Sequence, residues 1–242
     1  MIAILKGLLV LLVAVPYSLL AIVSIPLDGS GRSYHACARQ WSRFILWIFG
    51  IRVHVKGLEN IGDGHVIYAA NHASWFDIPA TIVGVPDNIR IMFKRELTYV
   101  PVWGWALSWG PYIAVDRSSP KDAMRGMEKA AGQIRNGASV LLFVEGTRTR
   151  DGKLQAFKRG AFVLALKAGV PIIPVTINHS YKILPKGSLK VQATDIEIIL
   201  EKPVETRAFE GSNGGKALMN EVRSKIEKHF VEPKEKIPWQ SR

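Results

Sequence analysis

The sequence predicts an α/β domain with a mainly parallel central sheet flanked by helices, preceded by a hydrophobic helical motif that binds membrane. Three observations lead there. Short apolar runs alternate with amphipathic stretches from residue 51 onward, polar clusters stand directly after three of those runs, and the first 50 residues open with a long uncharged segment.

Residues 7–27 carry no charged side chain and are mostly Leu, Val, Ile and Ala. A helix needs about 20 apolar residues to cross the hydrocarbon of a bilayer. Pro16 and Pro26 argue against one straight span. Lys6 and the apolar run also fit the start of a signal peptide, but the small-residue cleavage pattern is missing and the chain keeps the segment behind Met1, so retention is expected. Residues 34–51 mix Trp41, Phe44, Ile45, Trp47, Ile48 and Phe49 with Arg39 and Arg43. Such a helix suits the headgroup level, rings in the interface and guanidinium groups towards phosphate. Arg32, Arg39 and Arg43 follow the apolar run, which places the rest of the chain in the cytoplasm. The expected division is a membrane-associated segment over residues 1–50 and an α/β domain over residues 51–242.

Within that domain Ile51, Val53 and Val55 alternate with Arg52, His54 and Lys56, the pattern of a half-buried strand. Residues 66–70 (VIYAA), 89–93 (IRIMF) and 139–144 (SVLLFV) suit buried strands. Residues 170–177 (VPIIPVTI) suit another, its prolines pointing to a sheet edge, and residues 189–193 and 196–200 complete the set. Residues 121–135 and 156–168 read as amphipathic helices, and Leu218, Val222, Ile226 and Phe230, four apart, give a last one. The polar tail, residues 232–242, is expected to fray.

Charge and cysteine usage narrow the function. With 32 Lys and Arg against 20 Asp and Glu, the net charge of +12 favours an anionic partner: nucleic acid, a phospholipid surface or a phosphorylated substrate. No nucleic-acid module is recognisable, and the apolar N-terminus has no role in such a protein. Cys37 is the single cysteine, which excludes an intrachain disulfide and thiolate-rich metal sites.

The chemistry lies where apolar runs stop: Asn71-His72 after residues 66–70, Lys94-Arg95 after 89–93, and Glu145-Gly146-Thr147-Arg148 after 139–144. In a parallel sheet these ends share one edge, where open α/β sheets bind ligands. His72 and Asp77, five residues apart, meet if His72 lies in the turn and Asp77 in the first helical turn, with Ser74 as N-cap and Asp77 three positions on as in a capping box. A neutral imidazole accepts a proton near pH 7, and a carboxylate on its far nitrogen fixes the tautomer and stabilises the imidazolium. No G-x-S-x-G elbow occurs and Cys37 lies in the membrane-directed segment, so the nucleophile is expected to be a hydroxyl of the substrate. Gly146 allows close backbone approach, Thr147 and Arg148 supply phosphate donors, Lys94 is a second phosphate contact, and Lys158 and Arg159 open the next helix.

These blocks resemble the glycerolipid acyltransferase family, in particular its bacterial 1-acyl-glycerol-3-phosphate acyltransferases. The family's NH-x4-D block matches Asn71, His72 and Asp77; Lys94-Arg95-Glu96-Leu97 resembles its lysine-Glu-Leu block; the EGTR block matches Glu145 to Arg148, followed by Phe157-Lys158-Arg159-Gly160; and residues 170–175 resemble its proline-rich block. Val144 stands where the family usually has proline, and Thr149 where serine is common. The resemblance implies a glycerol-3-phosphate acyltransferase-like fold at the cytoplasmic face of the inner membrane. It implies transfer of an acyl group from acyl-CoA or acyl carrier protein to the sn-2 hydroxyl of lysophosphatidic acid, giving phosphatidic acid for phospholipid biosynthesis. His72 is then the base, Asp77 its orienting partner, Arg148 and Lys94 the phosphate ligands with Thr147 assisting, and Glu145 the residue that places Arg148 or neighbouring backbone. No metal or bound cofactor is expected. The alternatives are another acceptor, lyso-ornithine lipid or glycerol 3-phosphate, and a non-catalytic lipid-phosphate binding protein.

Overall fold

The computed structural model describes residues 2–116, 120–188, 190–209, 211 and 213–233. Among these, strands β1 (Val53–Lys56), β2 (Ile67–Ala70), β3 (Ile89–Lys94), β4 (Ile113–Val115), β5 (Ser139–Phe143), β6 (Ile172–Asn178) and β7 (Ile196–Leu200) form one sheet in the order β1-β7-β6-β2-β5-β3-β4. Every neighbouring pair is parallel except β6 and β7. The helices are α1 (Ile2–Leu27), α2 (Arg32–Phe49), α3 (Asp77–Gly84), α4 (Trp103–Trp109), α5 (Pro120–Arg135), α6 (Gly160–Ala168), the short α7 (Ser180–Ile183) and α8 (Gly214–His229).

The central strands read as continuous apolar runs because both faces are covered. Tyr68 and Ala70 of β2 face a core shared with α2 and α3, whereas Ile67 and Ala69 face one shared with α5, α6 and α8. Each fully buried Ile or Leu side chain in these layers contributes about 1.5–3 kcal/mol relative to exposure. Leu218, Val222 and Ile226 are the buried stripe of α8, while Phe230 lies just past its end.

The N-terminal pair lies against the domain. Helix α1 runs as one element through Pro16 and Pro26 and is long and apolar enough to cross a membrane by length and composition. It packs on α2 and α4, burying Ala14, Ser18 and Ala21 and exposing Ile4, Leu8, Leu12, Leu19 and Val23. Trp47 of α2 is exposed too, but Arg39 does not face headgroups. Its guanidinium donates to the carbonyls of Ile82, Val85 and Asp87, satisfying acceptors left open at the end of α3. Beside it His35 Nδ1 lies 2.8 Å from the Tyr112 hydroxyl, so α2 is held by buried polar contacts as well as by apolar ones.

Four further readings of the sequence are corrected. The proline-containing strand is interior, between β7 and β2; the Pro174 carbonyl still accepts from Glu201 N–H, and its donorless nitrogen falls beyond the last β6–β7 pair at Val175 and Leu200. Residues 190–193 form no strand, and Leu189 and the tail from residue 234 lie outside the described residues. The helix expected from residue 156 starts at Gly160 with Arg159 as its N-cap, so Lys158 and Arg159 precede it. The donors of Gln155 and Lys158 are already committed, to the Glu145 carboxylate and the Val144 carbonyl. Ser74 is not the N-cap of α3, a position held by Phe76.

Candidate active site

Strands β2 and β5 are adjacent and parallel, so the turns that follow them meet. Asn71 makes the first turn possible. Its side-chain amide donates to the Ile177 carbonyl and accepts from the Ile177 N–H, at 2.9 and 2.7 Å, replacing the ladder while the main chain leaves the sheet. Asp77, fully buried at the start of α3, gathers that turn through a single oxygen. Its Oδ2 accepts from Ala73 N–H at 2.7 Å and Ser74 N–H at 2.8 Å, and lies 2.7 Å from His72 Nδ1. The bond from Ser74 N–H to the Asp77 carboxylate is the capping-box contact the spacing predicted, while the Ser74 hydroxyl donates to Leu184 O and accepts only a long bond from Phe76 N–H.

With the Nδ1 proton directed at Asp77, His72 Nε2 carries the lone pair, and it has no hydrogen-bond partner among the described residues. The imidazole stacks on Phe143 with ring centres 3.9 Å apart, which holds its plane. The His72 main chain is fixed on both sides, by donation to Glu145 Oε1 and acceptance from Thr149 N–H.

Glu145 is therefore a brace beneath His72. It is buried, with Oε1 accepting from His72 N–H at 2.6 Å and Oε2 from Gln155 N–H at 2.8 Å. Burial raises its carboxyl above the ordinary range against the lowering effect of those two donors. Gly146 follows at φ +72°, a left-handed turn in which a Cβ would crowd the Lys158 side chain at 3.2 Å. The turn delivers Thr147 and Arg148 to the same edge. Arg148 places its guanidinium 4.8 Å from the ring centre of Trp75, and burial lowers its pKa while the Asp77 charge opposes that.

Asn71, His72, Ser74, Asp77, Glu145, Gly146, Thr147 and Arg148 thus share one edge of β2 and β5. Lys94 ends β3, the parallel neighbour of β5, at the same edge of the sheet; its side chain is largely exposed and pairs with Glu96 at 2.7 Å. Sequence reasoning did not single out Trp75, Phe143, Gln155 or Lys186, the last of which donates to the Thr147 hydroxyl at 2.9 Å. The aromatic inside the 71–77 block was a signal for Trp75; nothing in the spacing marked Lys186.

Trp75 also opens the second half of the site. It lines an apolar cavity of about 740 Å³ enclosed by α1, α2, α3 and α4, with Ala14, Trp41, Phe76, Pro79 and Trp103 among its walls. One indole ring borders both the Arg148 guanidinium and a cavity of the size that holds an extended apolar ligand.

Comparison with known proteins agrees with this geometry. The family model described as Acyltransferase matches residues 52–178, from β1 to the end of β6. A Pseudomonas aeruginosa protein named 1-acyl-sn-glycerol-3-phosphate acyltransferase is 35% identical over 172 residues, 69% of this chain and 66% of its own. The chloroplastic 1-acyl-sn-glycerol-3-phosphate acyltransferase LPAT1 of Arabidopsis thaliana is 33% identical over 198 residues, 80% of this chain and 53% of its own. The chain thus spans between about half and two thirds of the length of these relatives. The crystal structure of the LPA acyltransferase PlsC from Thermotoga maritima shares the fold, with a TM-score of 0.77 at 24% identity over 94% of this chain and 95% of that one. A model that covers more than half of the sequence, including the His72–Asp77 and Glu145–Arg148 blocks, shows that the chain belongs to the acyltransferase family.

Proposed function

We propose that this protein acylates the sn-2 hydroxyl of lysophosphatidic acid, with acyl-CoA or acyl carrier protein as donor, to give phosphatidic acid for phospholipid biosynthesis. The observation that carries the reading is the position of Trp75, bordered by Arg148 and by the apolar cavity and three residues from His72. A single-chain lipid phosphate has the matching parts: an anionic head, a free hydroxyl and an apolar tail. The names borne by the relatives support the same acceptor.

His72 Nε2 takes the proton of the acceptor hydroxyl as its oxygen attacks the thioester carbonyl carbon. Asp77 holds the tautomer and stabilises the imidazolium that forms. The tetrahedral intermediate then collapses, the C–S bond breaks, and the imidazolium returns its proton to the departing thiolate. Arg148 and Thr147 hold the acceptor phosphate, with Lys94 reaching the same group once it leaves Glu96. Burial of both substrates beside the base supplies orientation, and the chemistry draws on side chains alone with no metal or bound cofactor.

The exposed face of α1 seats in the membrane. Cavity walls run from Ile4 to Ala21, so the α/β domain lies alongside most of this helix. A perpendicular span would draw the polar domain into hydrocarbon, whereas a helix lying in one leaflet leaves the domain in water. The exposed Arg32 and Arg43 of α2 favour the cytoplasmic leaflet, and the division at residue 50 separates this anchor from the catalytic domain.

The test is acyl transfer by the detergent-solubilised protein with lysophosphatidic acid, lyso-ornithine lipid and glycerol 3-phosphate offered in parallel, each with acyl-CoA and with acyl carrier protein. Selective formation of phosphatidic acid is expected. Transfer to a different acceptor alone would refute the substrate, and transfer to none would refute the activity.

A further inference from the structure

We propose that Lys186 is a specificity-determining residue that binds the anionic head of the acceptor together with Thr147 and Arg148. The assignment rests on the acceptor being a lipid phosphate.

Lys186 lies in the segment that follows α7, far in sequence from the 71–77 and 145–148 blocks. Its ammonium donates to Thr147 Oγ1 at 2.9 Å, which sets it beside the residue that precedes Arg148. Because the lysine proton occupies an acceptor lone pair of the hydroxyl, the Thr147 O–H proton remains free to be donated outward. The ammonium keeps two further N–H donors of its own. Thr147, Arg148 and Lys186 thus assemble a set of donors with no acceptor role to fill, which is the chemistry of a phosphate receptor.

Two contrasts strengthen the reading. Lys94 is neutralised by Glu96 at 2.7 Å, whereas among the described residues no carboxylate forms an ion pair with Lys186. A half-buried cation held against a hydroxyl, with no anion of its own, is a site that gains from an incoming anion. The segment is also fixed in the right place. Leu184 accepts from the Ser74 hydroxyl beside the His72 turn, while Leu184, Ser188 and Val191 line the apolar cavity. The same stretch of chain therefore touches the turn of the base, the phosphate loop and the wall of the tail cavity.

Binding of hexadecyl phosphate and of hexadecanol to the full-length protein in detergent, followed by isothermal titration calorimetry, tests this without turnover. Lys186→Met should weaken hexadecyl phosphate about 10-fold and leave hexadecanol unchanged, and Lys186→Arg should recover most of the loss. In kinetics the same Lys186→Met change should raise KM for lysophosphatidic acid with kcat nearly unaltered. Equal weakening of phosphate and alcohol would show a packing role, and unaltered phosphate binding would show a bystander; either overturns the proposal. If the wild-type protein binds hexadecyl phosphate through Lys186 but acylates no lysophospholipid, the phosphate site stands and the proposed function falls.

Discussion

The Arg148 guanidinium lies 4.8 Å from the ring centre of Trp75, and this contact joins the two sequence blocks that carry the site. Strands β2 and β5 bring their turns together, and the contact with the indole sets the direction of the cation. A lysine placed there would keep the charge but lose the planar guanidinium and its bidentate phosphate geometry. Arg148→Lys should therefore raise KM for lysophosphatidic acid by about 10-fold with a smaller effect on kcat, and Arg148→Ala should lower kcat/KM by about 100-fold. Steady-state kinetics against acceptor concentration read both numbers. An Arg148→Lys enzyme with unaltered KM would show that charge alone suffices.

Asn71 supports the turn that carries His72. Its amide satisfies both polar groups of Ile177, and all of these atoms are buried. Asn71→Leu leaves one donor and one acceptor unpaired, which should cost about 2–4 kcal/mol of stability. A lowered thermal midpoint in circular dichroism checks this; an unchanged midpoint would mean that the turn finds other partners.

His35 gives the fold a pH dependence away from the active site. Burial holds its pKa down to about 4, Arg39 and Arg90 act in the same direction, and Asp87 opposes them. In the unfolded chain a histidine titrates near 6.5. The unfolded state therefore binds the proton first, so this contribution to stability is complete above pH 6.5 and is lost as pH falls towards 4. Linkage sets the full effect at about 3 kcal/mol. Between pH 7 and pH 4.5 the thermal midpoint of the wild-type protein should fall further than that of His35→Gln. Parallel curves for the two would contradict the assignment.

Much of this arrangement was legible in the sequence because the determinants are local. Continuous apolar runs marked β2, β3 and β5, and the polar residues after them fell at the strand ends by register alone. Asp77 was found from its distance to His72, and its carboxylate accepts from the Ser74 N–H as the capping-box reading expected; what the sequence missed is that α3 begins only at Asp77, with Phe76 at the cap position. Pro174 misled for a related reason: an interior strand tolerates proline where the neighbouring ladder ends, and only the pairing of β6 with β7 reveals that gap. Arg39 was read as a headgroup ligand from composition, yet three carbonyls at the end of α3 claim it. Lys186 and the cavity walls stayed hidden because both depend on contacts between segments far apart in sequence, which periodicity does not encode.

The central claim is that His72, held by Asp77 at 2.7 Å, removes the proton of the acceptor hydroxyl. The most direct measurement is the rate of phosphatidic acid formation from lysophosphatidic acid and an acyl thioester by His72→Ala, with its thermal midpoint recorded beside that of the wild-type protein. A rate lower by about 100- to 10,000-fold in a variant that still unfolds cooperatively well above the assay temperature is the predicted result. A near-wild-type rate in the folded variant would contradict the account and require a different base.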